Sequence, residues 1–501
     1  MIIKSRIPLQ AYEPHLAAPL ARWAKEAPTR TWLAQRSGPE RQWRKLSYAD
    51  AKRTVDGLTQ GLLNLKLDGR PVAILSGNSI EHALLTMAAM QARLPAAPVS
   101  PAYSLMSHDH LKLKYLFGLV KPGVVMVQDG PAFEKALKAL DLDGVTVIHV
   151  ARPCDGVPSV GFADLAATPV TSEVAASVAQ ITPETVGKLL FTSGSTGTPQ
   201  RVSKPVVSLD REARLLAAHF GERLAGCHVV ASVVLHHLYG LTFRVVLPMA
   251  LGLPLHASLL NYAEQLSALP DDKRYLFISS PAFLKRLDAS LTPPPVNLLV
   301  SAGGALPWLE VAAVQAWLNV WPDEIYGSTE TGVMAWRYRQ EESTRWQPFP
   351  GVAFHGDRVT SPLIPEAEGI VLDDILHFTA DGQFSLVGRR GRVVKIEDKR
   401  ISLDDIEHRL LALDGIREAA ALTVTRGGRQ GIGVLLVLNE AVRQQHEQSK
   451  TAQELAWRRA LRPWLEPVAV PRYWRIVDEI PVNSMNKRVT AQLQELFHED
   501  P

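Results

Sequence analysis

A chain of 501 residues, 46% hydrophobic and 21% charged, is too long for one ordinary core and too apolar for a disordered or fibrous protein. Its formal charge of +3 gives no electrostatic reason to expect nucleic acid as a partner. Cys154 and Cys227 are its two cysteines, which excludes a disulfide framework and fits a reducing cytoplasm.

The first residues, Met1-Ile2-Ile3-Lys4, run into charge and then Pro8, without the apolar stretch and cleavage site of a secretory signal. Pro71 to Leu75 then reads as a buried strand, Ile80 to Ala92 as a helix, and Ala97-Pro98-Val99 as a further strand end. Gly123 to Val127 and Val145 to Val150 repeat the strand pattern, with a helix over Ala132 to Leu140 between them. The most apolar region, Val229 to Leu260, carries His236, His237, Arg244, Pro248 and Pro254, so a buried core segment is expected there and no membrane span. Leu276-Phe277-Ile278, Asn297 to Val300 and Asp323 to Tyr326 are short strands ending in small or polar residues. The alternation predicts the α/β class: parallel sheets covered by helices, with ligands at the carboxyl ends of the strands. Composition shifts near Gly388. A large N-terminal multi-sheet α/β body is therefore expected over 1–388, and a small C-terminal α+β domain over 389–501.

The strongest local signal is Phe191-Thr192-Ser193-Gly194-Ser195-Thr196-Gly197-Thr198-Pro199. Glycines allow a tight turn in which several amide N–H groups face one anion, while the hydroxyls add donors. A flexible serine-glycine linker is the plainer reading. The position after Leu189-Leu190 and before a proline favours a phosphate loop, although the G-x-x-x-x-G-K-[ST] pattern is absent.

This loop resembles the phosphate-binding motif of the adenylate-forming superfamily, which includes acyl- and aryl-CoA synthetases, luciferases and nonribosomal peptide adenylation domains. Further motifs follow in the family's order. Tyr326-Gly327-Ser328-Thr329-Glu330-Thr331-Gly332 is similar to its YGxTE signature, and Ser301-Ala302-Gly303-Gly304-Ala305 to its adenine-side loop. Gly388-Arg389, Val393 to Ile396 and Lys399 to Ser402 are similar to its hinge and hairpin, and Pro481 to Lys487 to the segment carrying its catalytic lysine.

The resemblance implies ATP and Mg2+ as cofactors, a small carboxylic acid as substrate, and the thiol of CoA or of an acyl carrier protein's phosphopantetheine as acceptor. It implies that Thr192 to Gly197, Gly303, Gly304, Tyr326, Gly327 and Thr329 hold the nucleotide, and that Glu330 is the magnesium ligand. Asp374 fits the position that accepts the ribose hydroxyls, eight residues before Gly382, with Asp373 leaving the register open by one and an acidic surface pair as the plain alternative. Arg389 would approach the ribose or phosphates. Lys487 would bridge the reacting carboxylate and the α-phosphate from a mobile lid, unless it is an ordinary surface lysine. His237 and Tyr239, with Ala302, would line the acid pocket, His237 gating the carboxylate; a packed core histidine is the alternative.

The sequence also departs from the family pattern. The loop runs Pro199-Gln200-Arg201 where family members continue Pro-Lys-Gly, which leaves Arg201 or Lys204 to supply the charge. Asn486 precedes Lys487 in place of glycine, and Gly391 stands at the hinge. Ser76 to Ser104 resembles feruloyl-CoA synthases, whereas Leu238 to Arg244, Tyr326 to Trp336 and Pro471 to Asp478 resemble AMP-ligases of aryl-polyene pathways. Both point to an aromatic or unsaturated acid. The rival readings are an enzyme with an amine acceptor and a non-catalytic binding member of the family.

Overall fold

The computed structural model describes residues 2–4, 17–37, 42–107, 109–193, 199–396, 399–426, 429–465, 467–482 and 488–498. Contacts group the chain into two compact units: 1–354 with 360–370, and 355–359 with 371–501. The architecture is α/β with several sheets and a smaller C-terminal part, as the alternating pattern predicts.

In the C-terminal unit, Arg429–Leu438 pairs antiparallel with Ile416–Arg426 and parallel with Tyr473–Ile476. Ala419 and Ala421 with Val434 and Leu436 pack on one core, with Ile406, Leu410 and Trp457. Ala420, Leu422 and Leu435 pack on another, with Leu493 and Phe497. Both faces are covered there, so the central stretches 419–422 and 434–438 read as continuous apolar runs.

Two sheets organise the N-terminal unit. The first is ordered Pro199–Pro205, Val186–Ser193, Ala96–Pro98, Val72–Ile74, Val124–Val127, Thr146–His149, Ser159–Gly161. All neighbours are parallel except the first pair. The second has a parallel centre, Asp323–Ser328, Val296–Ser301, Arg274–Ser279, Cys227–Ala231, Leu255–Leu259 and Thr31–Ser37, flanked by antiparallel strands Gly332–Tyr338 and Gln42–Ser47. These antiparallel edges are absent from the sequence expectation of parallel sheets. The helix Ile80–Gln91 touches strands of both sheets, and every one of its residues is buried. It is apolar around most of its circumference, which suits a helix with no solvent face. Ser79 caps it by accepting from the His82 amide.

The apolar region Val229 to Leu260 resolves into a strand, a helical stretch and a second strand. Among the described residues no helix is long and apolar enough to cross a membrane. Within the helical stretch, Thr242–Val246 widens into one π-helical turn, and Arg244 there is fully buried. Its guanidinium donates to the carbonyls of Ala231 (3.4 Å), Val233 (2.8 Å), His256 (3.4 Å), Ala257 (2.6 Å) and Ser258 (3.2 Å). Those of Ala231 and Val233 lie at and just past the carboxyl end of Cys227–Ala231, and the other three lie along the parallel neighbour Leu255–Leu259. Burial pushes the guanidinium down to about 9, so it stays charged at neutral pH. Arg244→Met keeps the apolar volume but strands these carbonyls. It is expected to lower unfolding free energy by about 3 kcal/mol or more, read by denaturant titration of the purified chain.

Candidate nucleotide and acid site

Strands Val186–Ser193 and Pro199–Pro205 form an antiparallel pair in which Ser193 faces Pro199 and Thr192 faces Gln200. The glycine-serine motif therefore joins the two arms of a hairpin at the carboxyl end of a strand that is parallel to its inner neighbour. Gly194, Ser195, Thr196 and Gly197 lie outside the described residues, as does the Ser193 side chain. On the returning arm Arg201 is exposed, whereas Lys204 is buried and its Nζ donates to the main-chain carbonyl of Glu330 at 2.8 Å. Lys204 thus ties the hairpin of the glycine-serine motif to the turn carrying the expected magnesium ligand.

That turn connects Asp323–Ser328 to Gly332–Tyr338. Ser328 and Thr331 close it reciprocally: the Ser328 amide donates to Thr331 Oγ1 and the Thr331 amide to Ser328 Oγ, each at 3.1 Å. Gly327 faces Val333, and a Cβ on it would sit 2.3 Å from the Gly332 carbonyl oxygen. Gly332 has φ +68°, the left-handed region that favours glycine. Glu330 and Thr329 are half-buried. Beneath them the buried Glu212 accepts from the Val333 amide (2.8 Å) through Oε1 and from Thr242 Oγ1 (2.6 Å) through Oε2. Burial pushes the Glu212 carboxyl up, while the bonds from Thr242 and Val333 and the Lys204 charge pull it back. Burial pushes the Lys204 ammonium down, opposed by Glu212, Glu330 and Glu366. A single half-buried carboxylate fits Mg2+, which takes one or two protein carboxylates and otherwise phosphate and water oxygens.

Two residues expected to line an acid pocket, Tyr239 and Ala302, lie at the ends of neighbouring strands. Tyr239 lies in the short helix Leu238–Leu241, with its hydroxyl 3.0 Å from the Ser279 carbonyl and 3.1 Å from the Val300 carbonyl. The Ala302 amide donates to the same Ser279 oxygen, so Tyr239 and Ala302 meet there. Gly303 and Gly304 follow, exposed, at the end of Val296–Ser301. His237 is half-buried just before the helix, its ring 4.5 Å from that of His236. Tyr326 stacks obliquely on Trp346 at 5.8 Å.

In the C-terminal unit, Asp374 and Arg389 face each other across the hairpin of Asp374–Phe378 and Phe384–Arg389. Arg389 Nε lies 3.1 Å from Asp374 Oδ1, whereas its Nη2 lies 3.9 Å from Oδ2 of the far more exposed Asp373. Asp404 accepts both from the Arg389 amide (2.8 Å) and from Arg392 Nε (2.7 Å), spanning Gly391. Lys487 and Asn486 lie outside the described residues.

Sequence reading missed several buried polar groups. Lys188 is fully buried and donates to Thr86 Oγ1 at 3.2 Å; burial pushes its ammonium down to about 7. One helical turn before Thr86, His82 is pushed by burial, then by the Lys188 charge, down to about 3. Its Nδ1 lies 3.0 Å from the Gly77 carbonyl, which places the ring proton on Nδ1 of the neutral imidazole. Lys188 inside an apolar strand, in Gly187-Lys188-Leu189-Leu190, was the available signal. Glu212 had none beyond a carboxylate on the apolar side of a helix.

Residues 20–375 match the AMP-binding enzyme family. The 4-coumarate–CoA ligase of Halorhodospira halophila is 28% identical over 63% of this chain and 78% of its own length. That of Rhodobacter capsulatus is 32% identical over 48% of this chain and 61% of its own length, so the match spans under two thirds of this second relative. The ATP-bound structure of MatB from Rhodopseudomonas palustris shares the fold, with TM-score 0.79 and 20% identity over 96% of this chain and 99% of that one. The glycine-serine hairpin, the glutamate turn and these likenesses together lead to one conclusion: the chain belongs to the AMP-binding enzyme family, as an adenylate-forming protein similar to acid–CoA ligases.

Proposed function

We propose that this chain is a cytoplasmic, magnesium- and ATP-dependent ligase that activates an aromatic or unsaturated carboxylic acid and passes it to a thiol. A carboxylate is a poor electrophile because oxide would have to leave. Attack by its oxygen on the α-phosphorus of ATP breaks the bond to the β-phosphate, releases pyrophosphate and leaves an acyl-adenylate. A thiolate sulfur then attacks the acyl carbon and AMP departs. The observation that carries the reading is the Lys204 bond to Glu330, which joins a phosphate-loop hairpin to a carboxylate turn at the carboxyl ends of strands. Bound Mg2+ would neutralise phosphate charge, held on the protein side by Glu330.

In this reading the residues from Thr192 to Gly197, with Gly303, Gly304, Tyr326, Gly327 and Thr329, cradle the nucleotide, and Asp374 accepts from the ribose. Arg389 orients Asp374 through their ion pair. His237, Tyr239 and Ala302 line the acid pocket. Lys487 arrives from a C-terminal lid (389–501) pivoting near Gly391, and stabilises charge shared by the carboxylate and α-phosphate. The similarity to 4-coumarate–CoA ligases supports an aromatic acid and CoA as the thiol.

Acid-dependent ATP–pyrophosphate exchange with Mg2+ is expected with cinnamate-like or benzoate-like acids and to be weakest with long saturated fatty acids. A chain that binds nucleotide but exchanges with no acid is instead the binding member of the family. In product assays, thioester is expected with CoA or phosphopantetheinylated carrier protein; amide formed from added amines would replace the thiol assignment. Lys487→Ala should lower exchange by roughly 100-fold or more while leaving AMP affinity unchanged, measured by calorimetry. Equal exchange by variant and parent removes Lys487 from catalysis.

A further inference from the structure

We propose that Lys204 and Glu212 are positioning residues for Glu330, fixing its turn from two sides in place of the lysine that this phosphate loop lacks. The proposal rests on Glu330 being the magnesium carboxylate. Where family members carry lysine, this chain has Gln200, and the next cation along, Arg201, is exposed. Lys204 instead runs beneath the hairpin and spends its ammonium on the main-chain carbonyl of Glu330 itself. Three residues on, Glu212 Oε1 holds the Val333 amide at 2.8 Å. The turn is therefore bonded at both ends by buried, oppositely charged side chains, with Lys204 2% and Glu212 3% exposed.

Three features favour a positioning role over a bland core pair. First, Lys204 donates to main chain of the turn and not to a carboxylate, and Glu212 accepts from main chain, so the charges are directed at the turn's backbone. Second, a Cβ at Gly332 would lie 2.8 Å from Glu212 Oε1, so glycine is what lets the carboxylate reach the turn. Third, the space lined by Lys204, Ser208, Glu212, Leu238, Gly332 and Leu363 has no room for a water molecule. No solvent-sized space there offers either side chain a substitute for its protein partner, which favours a stiff geometry. Glu212 Oε2 also holds Thr242, in the helical stretch that follows His237 and Tyr239. One carboxylate thereby references the glutamate turn and the acid-pocket helix to each other.

The test compares the full-length parent with Lys204→Met, Lys204→Arg, Glu212→Gln and Glu212→Leu. Three readouts are taken: hydrogen exchange over the turn 327–333, the Mg2+ concentration for half-maximal ATP–pyrophosphate exchange, and metal-free AMP binding. Groups that orient a metal ligand typically carry about 10- to 100-fold in metal affinity or activity, and Lys204→Met and Glu212→Leu should raise the Mg2+ requirement by that order. Turn amides should exchange faster by about tenfold, while Val296–Ser301 exchanges as in the parent and AMP affinity falls by much less than the Mg2+ requirement rises. Lys204→Arg, which keeps a donor, and Glu212→Gln, which keeps an acceptor for Val333, should shift both readouts less. Unchanged turn exchange in all four variants overturns the proposal. So does an arginine variant as impaired as methionine, or a raised Mg2+ requirement matched by equal loss of AMP binding. A parent inactive with every acid, but with faster turn exchange in the variants, sinks the ligase reading and supports the hold on the turn.

Discussion

A parallel sheet leaves main-chain carbonyls and amides unpaired where its strands end, and in this chain several of those groups are buried. Water cannot satisfy them, so polar side chains must. Arg244 takes carbonyls at the end of one strand and along its parallel neighbour, Tyr239 lies between two more, and Lys204 and Glu212 hold the turn after a further strand. The region that is hardest to satisfy is also the one where ligands bind in such folds. The same long side chains that make the strand ends tolerable therefore give them fixed, charged geometry.

The C-terminal unit applies charge differently. Its arginine run is matched locally by acids: Arg389 by Asp374, Arg390 by Asp357, and Arg392 by Asp404 and Glu407. These groups are more exposed, so each pair contributes modestly to stability and serves mainly to fix direction.

Much of this was legible in the sequence because it depends on local pattern. Strand cores such as Val124–Val127 and the helix Ile80–Gln91 stood within a residue or two of their expected bounds. The motifs Tyr326 to Gly332 and Ser301 to Ala305 fell at strand ends because their glycines and hydroxyls suit only such turns. What escaped depends on partners distant in sequence. Lys204 meets Glu330 across 126 residues, and Val333 meets Glu212 across 121, spacings that no window reveals. The edge strands Pro199–Pro205 and Gln42–Ser47 likewise carry no run of apolar residues, since they are covered on one side at most. Arg244 looked like an interruption of an apolar segment; it is the group that lets the segment be buried.

The helix Ile80–Gln91 has a consequence for how the chain acquires its structure. It touches the strand Thr31–Ser37, whose free edge is completed only by Leu255–Leu259. On a ribosome adding 5–20 residues each second, that partner emerges on the order of ten seconds after the helix. During that interval an apolar segment and an open strand edge stand uncovered in the growing chain. Synthesis speed and chaperone occupancy, more than the stability of the finished protein, then decide how many molecules escape aggregation on the way.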